Sequence, residues 1–209
     1  MKRIVWMALL TLALPLAAFA GGVDLGNSGG TISGNNAGLT LTGSSLTTVL
    51  GLGTGTCSTA MPCGTVSFTT GSLISGNLSG TTAGVVATLN GGGSFVIMGN
   101  GTAGLPNGAI FTGSFSGPVL WIANPSGSSN GSVNYTLSGA ISGTWWNGTT
   151  ISGSTTQITF DAGKDGFMGS VAAASGDTVI NTVPEPGTLG LLGTGLVGLA
   201  GIVRKKLKA

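Results

Sequence analysis

The chain has 209 residues, of which 41 are glycine and only 6% are charged, and it contains no histidine. Its formal net charge of +2 comes from its two ends, because residues 21–182 carry four aspartates and a single lysine, a net charge of −3. The absence of a basic patch argues against nucleic acid as a partner, and the absence of histidine removes the usual general base and a common zinc ligand.

The first 20 residues have the pattern of a secretory signal peptide. Lys2 and Arg3 form a charged start, residues 4–14 form an apolar core, and residues 18–20 supply the small residues of a cleavage site. A core of about a dozen residues is too short to span a membrane, which requires about 20. We therefore expect cleavage before Gly21 and export of the chain that follows.

Residues 21–182 are predicted to form one exported domain with a thin core. Leu, Ile, Val and Phe make up close to 23% of this stretch, which lies just above the level of about 20% below which disorder is expected. Residues 21–39 are rich in glycine and are expected to be irregular. An uncharged surface of Ser, Thr, Asn and Gly would suit a hydrated polysaccharide matrix.

The two cysteines, Cys57 and Cys63, are predicted to form a disulfide. An even number of cysteines in an exported protein favours pairing. A metal or redox pair is disfavoured, because the spacing is not Cys-x-x-Cys and no histidine is present to complete a site. A loop this small is expected to add local rigidity more than global stability.

The dominant period along the domain is two residues, which is typical of strands. Val133, Tyr135 and Leu137, and further along Ile141 and Trp145, share one parity, with polar residues on the other. This pattern predicts a strand that is buried on one face and exposed to solvent on the other. Residues 65–69 and 111–115 alternate in the same way, residues 94–98 are apolar on both faces and predict a central strand, and 85–89, 118–122 and 158–160 predict shorter strands.

Turn signals separate these strands. Asn-Gly pairs occur at 90–91, 100–101, 107–108, 130–131 and 147–148. They favour hairpins because this dipeptide tolerates positive φ angles. Many short strands with frequent turns predict an all-β fold, an antiparallel β-sandwich or a barrel-like domain. A β-solenoid is the second choice, because Ile-Ser-Gly recurs at 32, 74, 141 and 151 without a fixed period.

The polar residues of the domain offer little chemistry. An activated Ser or Thr nucleophile needs a neighbouring base, and Lys164 is the only candidate. Asp161 and Asp165 match positions one and five of a calcium-binding loop. However, Gly163 stands at position three, and Ala172 stands at position twelve, where a bidentate Glu belongs. We expect a non-enzymatic domain with no catalytic residues, no metal and no cofactor.

Trp145 and Trp146 are a candidate sugar-stacking pair. Adjacent residues of a strand point to opposite faces, so one ring can fill the core while the other is exposed. An exposed ring beside polar side chains is what stacking against a sugar requires. The alternative is that the second ring packs beneath a loop or across an edge strand, since single exposed apolar residues are common.

Residues 183–209 combine three features of an envelope-sorting segment. Pro184 and Pro186 hold Val183 and Glu185 in extended conformations. Residues 186–203 carry no charge and reach the length of about 17 to 25 residues that a membrane helix requires. A basic stop of Arg204, Lys205, Lys206 and Lys208 follows. By the positive-inside rule this tail stays in the cytoplasm and the domain lies outside.

This arrangement resembles the PEP-CTERM sorting signal. The resemblance is carried by Val183-Pro184-Glu185-Pro186, the apolar run and Arg204-Lys205-Lys206, and it does not extend to the domain. It implies handling by an exosortase, a membrane-embedded cysteine transpeptidase or protease, in a bacterium of the kind that exports polysaccharide. A plain tail anchor is the alternative, but it gives no reason for Glu185.

The sequence therefore predicts an exported bacterial protein of the cell surface or extracellular matrix. Its expected partners are an exosortase-type transpeptidase, the membrane as a transient or C-terminal anchor, and extracellular polysaccharide. Its expected role is structural, in association with polysaccharide or biofilm. The alternative is a carbohydrate-binding or adhesion module presented at the cell surface.

Overall fold

Twelve strands are found in the parts of the chain that the computed structural model describes, which are residues 22–52, 55–125, 132–162 and 165–181. The strands are β1 (Gly22–Ser28), β2 (Thr31–Asn35), β3 (Gly38–Leu50), β4 (Gly64–Thr69), β5 (Leu73–Gly76), β6 (Gly84–Leu89), β7 (Gly92–Asn100), β8 (Asn107–Phe115), β9 (Val119–Pro125), β10 (Val133–Trp145), β11 (Thr150–Asp161) and β12 (Ser170–Asn181). Within those four ranges no helix has the length and apolarity to cross a membrane. The predicted signal peptide and membrane helix lie outside the described residues.

The twelve strands form the eight walls of the sheet, called staves here; each stave is either one long strand or two consecutive strands separated by a short bend. β1 and β2 form one stave, because both pair with β12 on one side and with β3 on the other. By the same criterion β8 and β9 form one stave, because both pair with β10. β6 and β7 together form the next stave, because β6 pairs with β9 and β7 pairs with β8. β4 and β5 form another, because β4 pairs with β7 and β5 pairs with β6. Short bends between the paired segments divide these staves.

Each stave pairs antiparallel with the stave that precedes it in the chain, and β12 returns to pair with β1 and β2. A closed circuit runs through β12, β2, β3, β4, β7, β8, β10 and β11, and the other four strands extend its staves. The fold is therefore an all-β closed barrel. Of the predicted architectures, the barrel-like one is confirmed, and the β-sandwich and β-solenoid are not observed.

The even number of staves places the two ends of the barrel sequence side by side. Gly22 on β1 pairs with Asn181 on β12. The end of the barrel at which they lie, called here the terminal end, also carries connections 51–63, 101–106 and 146–149. The opposite end, called the distal end, carries connections 36–37, 77–83, 126–132 and 162–169.

Alternate side chains of each stave fill the barrel. Val133, Tyr135 and Leu137 on β10 are buried, as the predicted parity requires, and so are Val66 and Phe68 on β4. One aromatic cluster consists of Phe68, Phe95, Phe111, Phe115 and Trp145, with ring centroids 5.5 to 6.2 Å apart. A second consists of Trp121, Tyr135, Phe160 and Phe167. Burial of these rings, together with the aliphatic residues around them, stabilises the barrel.

Connection 77–83 is fastened to the second aromatic cluster. The Trp121 Nε1–H donates to the Leu78 carbonyl at 3.0 Å, and the Tyr135 hydroxyl donates to the Gly80 carbonyl at 2.8 Å. The Leu78 side chain is buried beneath these contacts. The polar atoms of the two buried rings are thus satisfied by the backbone of a connection at the distal end.

Two strand predictions differ from the structure. Irregular stretches were expected near residues 21–39, but β1 and β2 lie there, and their partners on β12 are 137 to 159 residues away in the sequence. Residues 94–98 were expected to form a central strand buried on both faces, but only Phe95 and Ile97 are buried, and Met98 is 38% exposed. A stave of a closed barrel always has one outer face, so no strand here is central in that sense.

The Asn-Gly pairs also have different roles from those predicted. Only the pair at 147–148 forms a tight hairpin, between β10 and β11. The pair at 90–91 lies at the bend between β6 and β7 within one stave, and the pair at 107–108 lies inside β8. The pair at 100–101 begins connection 101–106, and the pair at 130–131 lies outside the described residues. Positive φ is thus used for bends within staves as well as for turns.

Two glycines on the inner face of β10 make room for phenylalanines of β8. A Cβ atom on Gly139 would lie 2.8 Å from the ring of Phe115, and one on Gly143 would lie 2.8 Å from the ring of Phe111. Position 143 is also close to the neighbouring backbone, with the Gly113 Cα only 2.5 Å from the added atom. Large and small side chains therefore alternate between these facing staves, which fills the interior without clashes.

We expect the substitution Gly143→Ala to lower the free energy of unfolding by about 2 kcal/mol or more, because the added methyl meets backbone that cannot move aside. Gly117→Ala is the matched control, since nothing lies within 4 Å of a Cβ there and no left-handed φ is required. Urea unfolding of both variants measures the difference. Equal stability of the two variants would show that the interior has room to spare.

Candidate functional site

The disulfide predicted between Cys57 and Cys63 is confirmed. The sulfur atoms are 2.09 Å apart, and the Cα atoms are 5.5 Å apart. The Cys63 N–H donates to the Leu46 carbonyl on β3 at 2.9 Å, and the Cys63 carbonyl accepts the Asn100 N–H from β7 at 3.0 Å. The buried half of the disulfide is therefore part of the sheet, and the bond fastens connection 51–63 to the terminal end.

The two candidate sugar-stacking residues have different environments. Trp145 is buried, with 8% of its surface exposed, and its ring lies 5.9 Å from that of Phe111. Trp146 is 42% exposed, and its ring lies 6.4 Å from that of Trp145 at an interplanar angle of 30°. Trp145 belongs to the core, so Trp146 is the one of the pair that can meet a ligand.

A rigid turn holds Trp146 at the terminal end. The Trp145 N–H donates to the Thr149 carbonyl, and the Gly148 N–H donates to the Trp145 carbonyl, both at 2.9 Å. Asn147 accepts the Thr149 N–H on its side-chain oxygen at 3.0 Å, and Gly148 has a φ of 84°, which glycine adopts without strain. The Trp146 N–H donates to the Ile110 carbonyl at 2.8 Å, which ties the turn to β8.

Three large apolar side chains are exposed around the terminal end. Leu50 is 58% exposed at the end of β3, Met61 is 70% exposed within the disulfide loop, and Trp146 is 42% exposed. We call these three residues the apolar rim. The sequences of connections 51–63, 101–106 and 146–149 contain no charged residue. The terminal end therefore presents apolar and neutral groups.

Two of the residues considered for catalysis or calcium binding, Asp161 and Asp165, lie at the other end of the barrel. Asp161 ends β11, and Asp165 is exposed in the connection that follows. Lys164, the predicted base, lies outside the described residues. Among the described residues no group of three or more His, Cys, Asp or Glu side chains could hold a metal ion.

A pair of carboxylates on the outer wall was not recognised in the sequence. Asp24 on β1 pairs with Val179, and Asp177 on β12 pairs with Gly26, so the two aspartates are diagonal neighbours on adjacent strands. A hydrogen bond with Asp24, partial burial and repulsion from the Asp24 charge together raise the pKa of Asp177 to about 6. The residues are 153 positions apart, and only the register that closes the barrel brings them together.

The chain continues from the terminal end into the segment that carries the sorting signal. The family model of the PEP-CTERM protein-sorting motif matches residues 182–205, beginning directly after the last residue of β12. The chain carries a PEP-CTERM motif. No curated protein and no solved structure matches the chain significantly. The motif marks the protein for export, for exosortase processing and for delivery to the cell envelope or the extracellular space.

The individual residues of the PEP-CTERM motif lie outside the described residues. They are the motif proper (Val183, Pro184, Glu185 and Pro186) and the basic stop (Arg204, Lys205, Lys206 and Lys208). Their separate roles, and the membrane helix between them, remain predictions. What the described residues add is the position from which the motif leaves the barrel, one residue after the Gly22–Asn181 pair.

The carboxylate pair predicts that the barrel is more stable at mildly acidic pH. The folded state holds the Asp177 proton more tightly than the unfolded chain, whose ordinary pKa is 3.8. This contribution is therefore fully present below about pH 4 and is lost as the pH rises through about 6. A shift of this size corresponds to about 3 kcal/mol, and solvent screening of the exposed pair reduces it to about 1 kcal/mol or less.

Urea midpoints measured between pH 4 and pH 7.5 test this expectation. The wild type should lose stability across this range relative to Asp177→Asn, which cannot share a proton between two carboxylates. Asp165→Asn serves as the control for removal of a negative charge elsewhere. Parallel pH profiles for the wild type and Asp177→Asn would contradict the coupling.

Proposed function

We propose that the barrel is a non-enzymatic structural protein of the cell surface or extracellular matrix, associated with extracellular polysaccharide or biofilm. The observation that carries this proposal is the PEP-CTERM motif directly after the last stave. On this proposal its function lies in what its outer surface binds, not in a reaction in its interior.

The uncharged polar side chains on the outer wall of the barrel are suited to a neutral, sugar-rich environment. Thr69 and Ser94 on neighbouring staves share a hydrogen bond of 3.1 Å between their hydroxyl groups on the exposed surface. Other hydroxyl and amide side chains outside the core include Thr65, Ser67, Thr112, Thr155, Gln157 and Thr159. Such groups both donate and accept hydrogen bonds without carrying charge, as the hydroxyl groups of a neutral polysaccharide do.

The composition of the chain supports a non-enzymatic role. The sequence contains no histidine, and residues 21–182 contain a single lysine, Lys164. General acid–base chemistry requires groups that exchange protons near neutral pH. Among the described residues, the one carboxyl with a strongly shifted pKa, that of Asp177, lies on the outer wall, where it shares its proton with Asp24.

A carbohydrate-binding or adhesion module is the second candidate. The observation that favours it is Trp146, whose ring is 42% exposed on a rigid hairpin and backed by the Trp145 ring. A fixed aromatic ring offers a flat apolar surface to a sugar at low entropic cost. A single ring of this kind would give weak binding, so avidity along a polymer would be needed.

The sorting proposal predicts the mass and location of the mature protein. We expect the wild type to lose its apolar segment and basic stop by cleavage near the PEP-CTERM motif and to leave the inner membrane. A variant with Pro184, Glu185 and Pro186 changed to Ala should keep residues 189–209 and remain in the membrane. Intact-mass spectrometry of fractionated cells, with Gly117→Ala as a control outside the motif, distinguishes the outcomes. Retention of the full C-terminus in both proteins would mean that the protein is simply anchored.

The second candidate predicts a specific effect of Trp146. Changing Trp146 to Ala should weaken co-sedimentation with polysaccharide from the producing cells about tenfold, which corresponds to about 1.4 kcal/mol. Trp146→Phe should retain much of the binding, because a ring remains to stack. Met61→Ala is the control for loss of an apolar side chain at the same end. Equal binding by all four proteins would exclude sugar stacking at this position.

A further inference from the structure

The length of chain after β12 limits how far the barrel can stand from the membrane. Asn181 is the last residue of β12, and its pairing with Gly22 places it at the terminal end. The sequence predicts that the membrane helix begins at residue 186, so only residues 182–185 intervene. Four extended residues span about 14 Å. While the helix is in place, the terminal end must therefore remain close to the lipid headgroups.

The same limit prevents the distal end from facing the lipid. β10, β11 and β12 are 13, 12 and 12 residues long. At about 3.3 Å per residue, and with the tilt of a closed barrel, this gives a height of about 30 Å. The tether is shorter than this height, so the surface that faces the membrane includes the terminal end.

The chemistry of the terminal end fits a lipid surface. The apolar rim of Leu50, Met61 and Trp146 is exposed there, and the connections around it carry no charge that would lose hydration at the membrane. Tryptophan is favoured at the boundary between headgroups and acyl chains, because its ring is apolar and its N–H is polar. Shallow burial of a few such side chains is how peripheral domains bind a bilayer.

The carboxylate pair sets the depth of such a contact. Asp24 lies opposite Leu50 in the register of β1 and β3, and Asp177 lies diagonally across from Asp24 on β12. Both carboxylates are on the outer wall and would have to stay in water. Because Leu50 lies beside Asp24, the rim can then reach the hydrated headgroup layer but no deeper.

We propose that the apolar rim rests on the phospholipid surface while the PEP-CTERM segment holds the uncleaved precursor in the membrane. This inference rests on the proposed membrane-tethered precursor and adds a second contact to it. The barrel then stands with its distal end pointing away from the bilayer.

Quenching of tryptophan fluorescence by brominated lipids tests the contact. The full-length chain with Pro184, Glu185 and Pro186 changed to Ala is reconstituted into phosphatidylethanolamine–phosphatidylglycerol vesicles with or without bromine on the acyl chains near the headgroups. Trp146→Phe in this background should reduce the quenched fraction at least twofold. Trp121 and Trp145 are buried in both proteins, and any signal from Trp6 is common to both.

A matched pair of surface variants separates rim contact from general exposure. Leu50→Ser with Met61→Ser should lower the quenching of Trp146, because the rim loses apolar area. Ile74→Ser, Val85→Ser and Met168→Ser remove exposed apolar side chains toward the distal end and should leave the quenching unchanged.

The failures of the two proposals are distinguishable. If alkaline carbonate extracts the chain from the vesicles, the membrane tether fails and the rim contact fails with it. If the chain resists extraction but Trp146→Phe leaves the quenching unchanged, only the rim contact is overturned. Shielding of Trp146 by added polysaccharide in place of lipid would assign the ring to sugar binding and would also overturn the rim contact.

Discussion

The structure depends on the closure of β12 onto β1 and β2. This seam turns an open meander of staves into a barrel and removes the two free edges that would otherwise invite pairing with other chains. Buried polar contacts lie on either side of this seam, between β1 and β3 and between β11 and β12. The Asn27 side chain donates to the Ser44 hydroxyl at 2.7 Å, and the hydroxyls of Thr156 and Thr178 lie 3.0 Å apart. Because these partners have no access to water, each contact specifies which staves meet.

The interior is filled because small residues on one stave leave room for large side chains of the neighbouring stave. β8 contributes Phe111 and Phe115, whose rings lie next to Gly143 and Gly139 on β10. A glycine-rich domain can still fill its core, because aromatic rings occupy the space left at positions such as Gly139 and Gly143. A thin core was expected from composition. The structure concentrates that limited apolar content into two aromatic clusters and the aliphatic residues around them.

Sequence reasoning succeeded where the information was local. The alternation of Val133, Tyr135 and Leu137 identified β10 and its buried face, and the short spacing of the cysteines identified the disulfide. It failed where the partner was distant. β1 and β2 look irregular because their hydrogen bonds are made by β12, and a local pattern cannot indicate a ladder with a strand at the other end of the domain.

The residues of the candidate site show the same difference between local patterns, which the sequence reveals, and distant contacts, which it does not. The sorting motif is a linear signal, so a sequence pattern is sufficient to find it, and the family model matches it over residues 182–205. The buried member of the tryptophan pair follows from the parity that Trp145 shares with Tyr135 and Leu137, but the packing of the Trp146 ring against Trp145 does not. The Asp24–Asp177 pair and the apolar rim depend on register and closure, and neither leaves a trace in local spacing.

Closure also links folding to delivery. Signal-peptide cleavage is expected before Gly21, and the sorting motif begins at residue 182, so the two processing sites flank the Gly22–Asn181 pair that closes the seam. Both expected cuts therefore lie outside the hydrogen-bonded staves, so neither would remove a residue of the barrel. An even number of antiparallel staves is what makes this possible, since an odd number would send the motif out at the end opposite the N-terminus. The topology that completes the core therefore also places both ends of the barrel sequence at the terminal end.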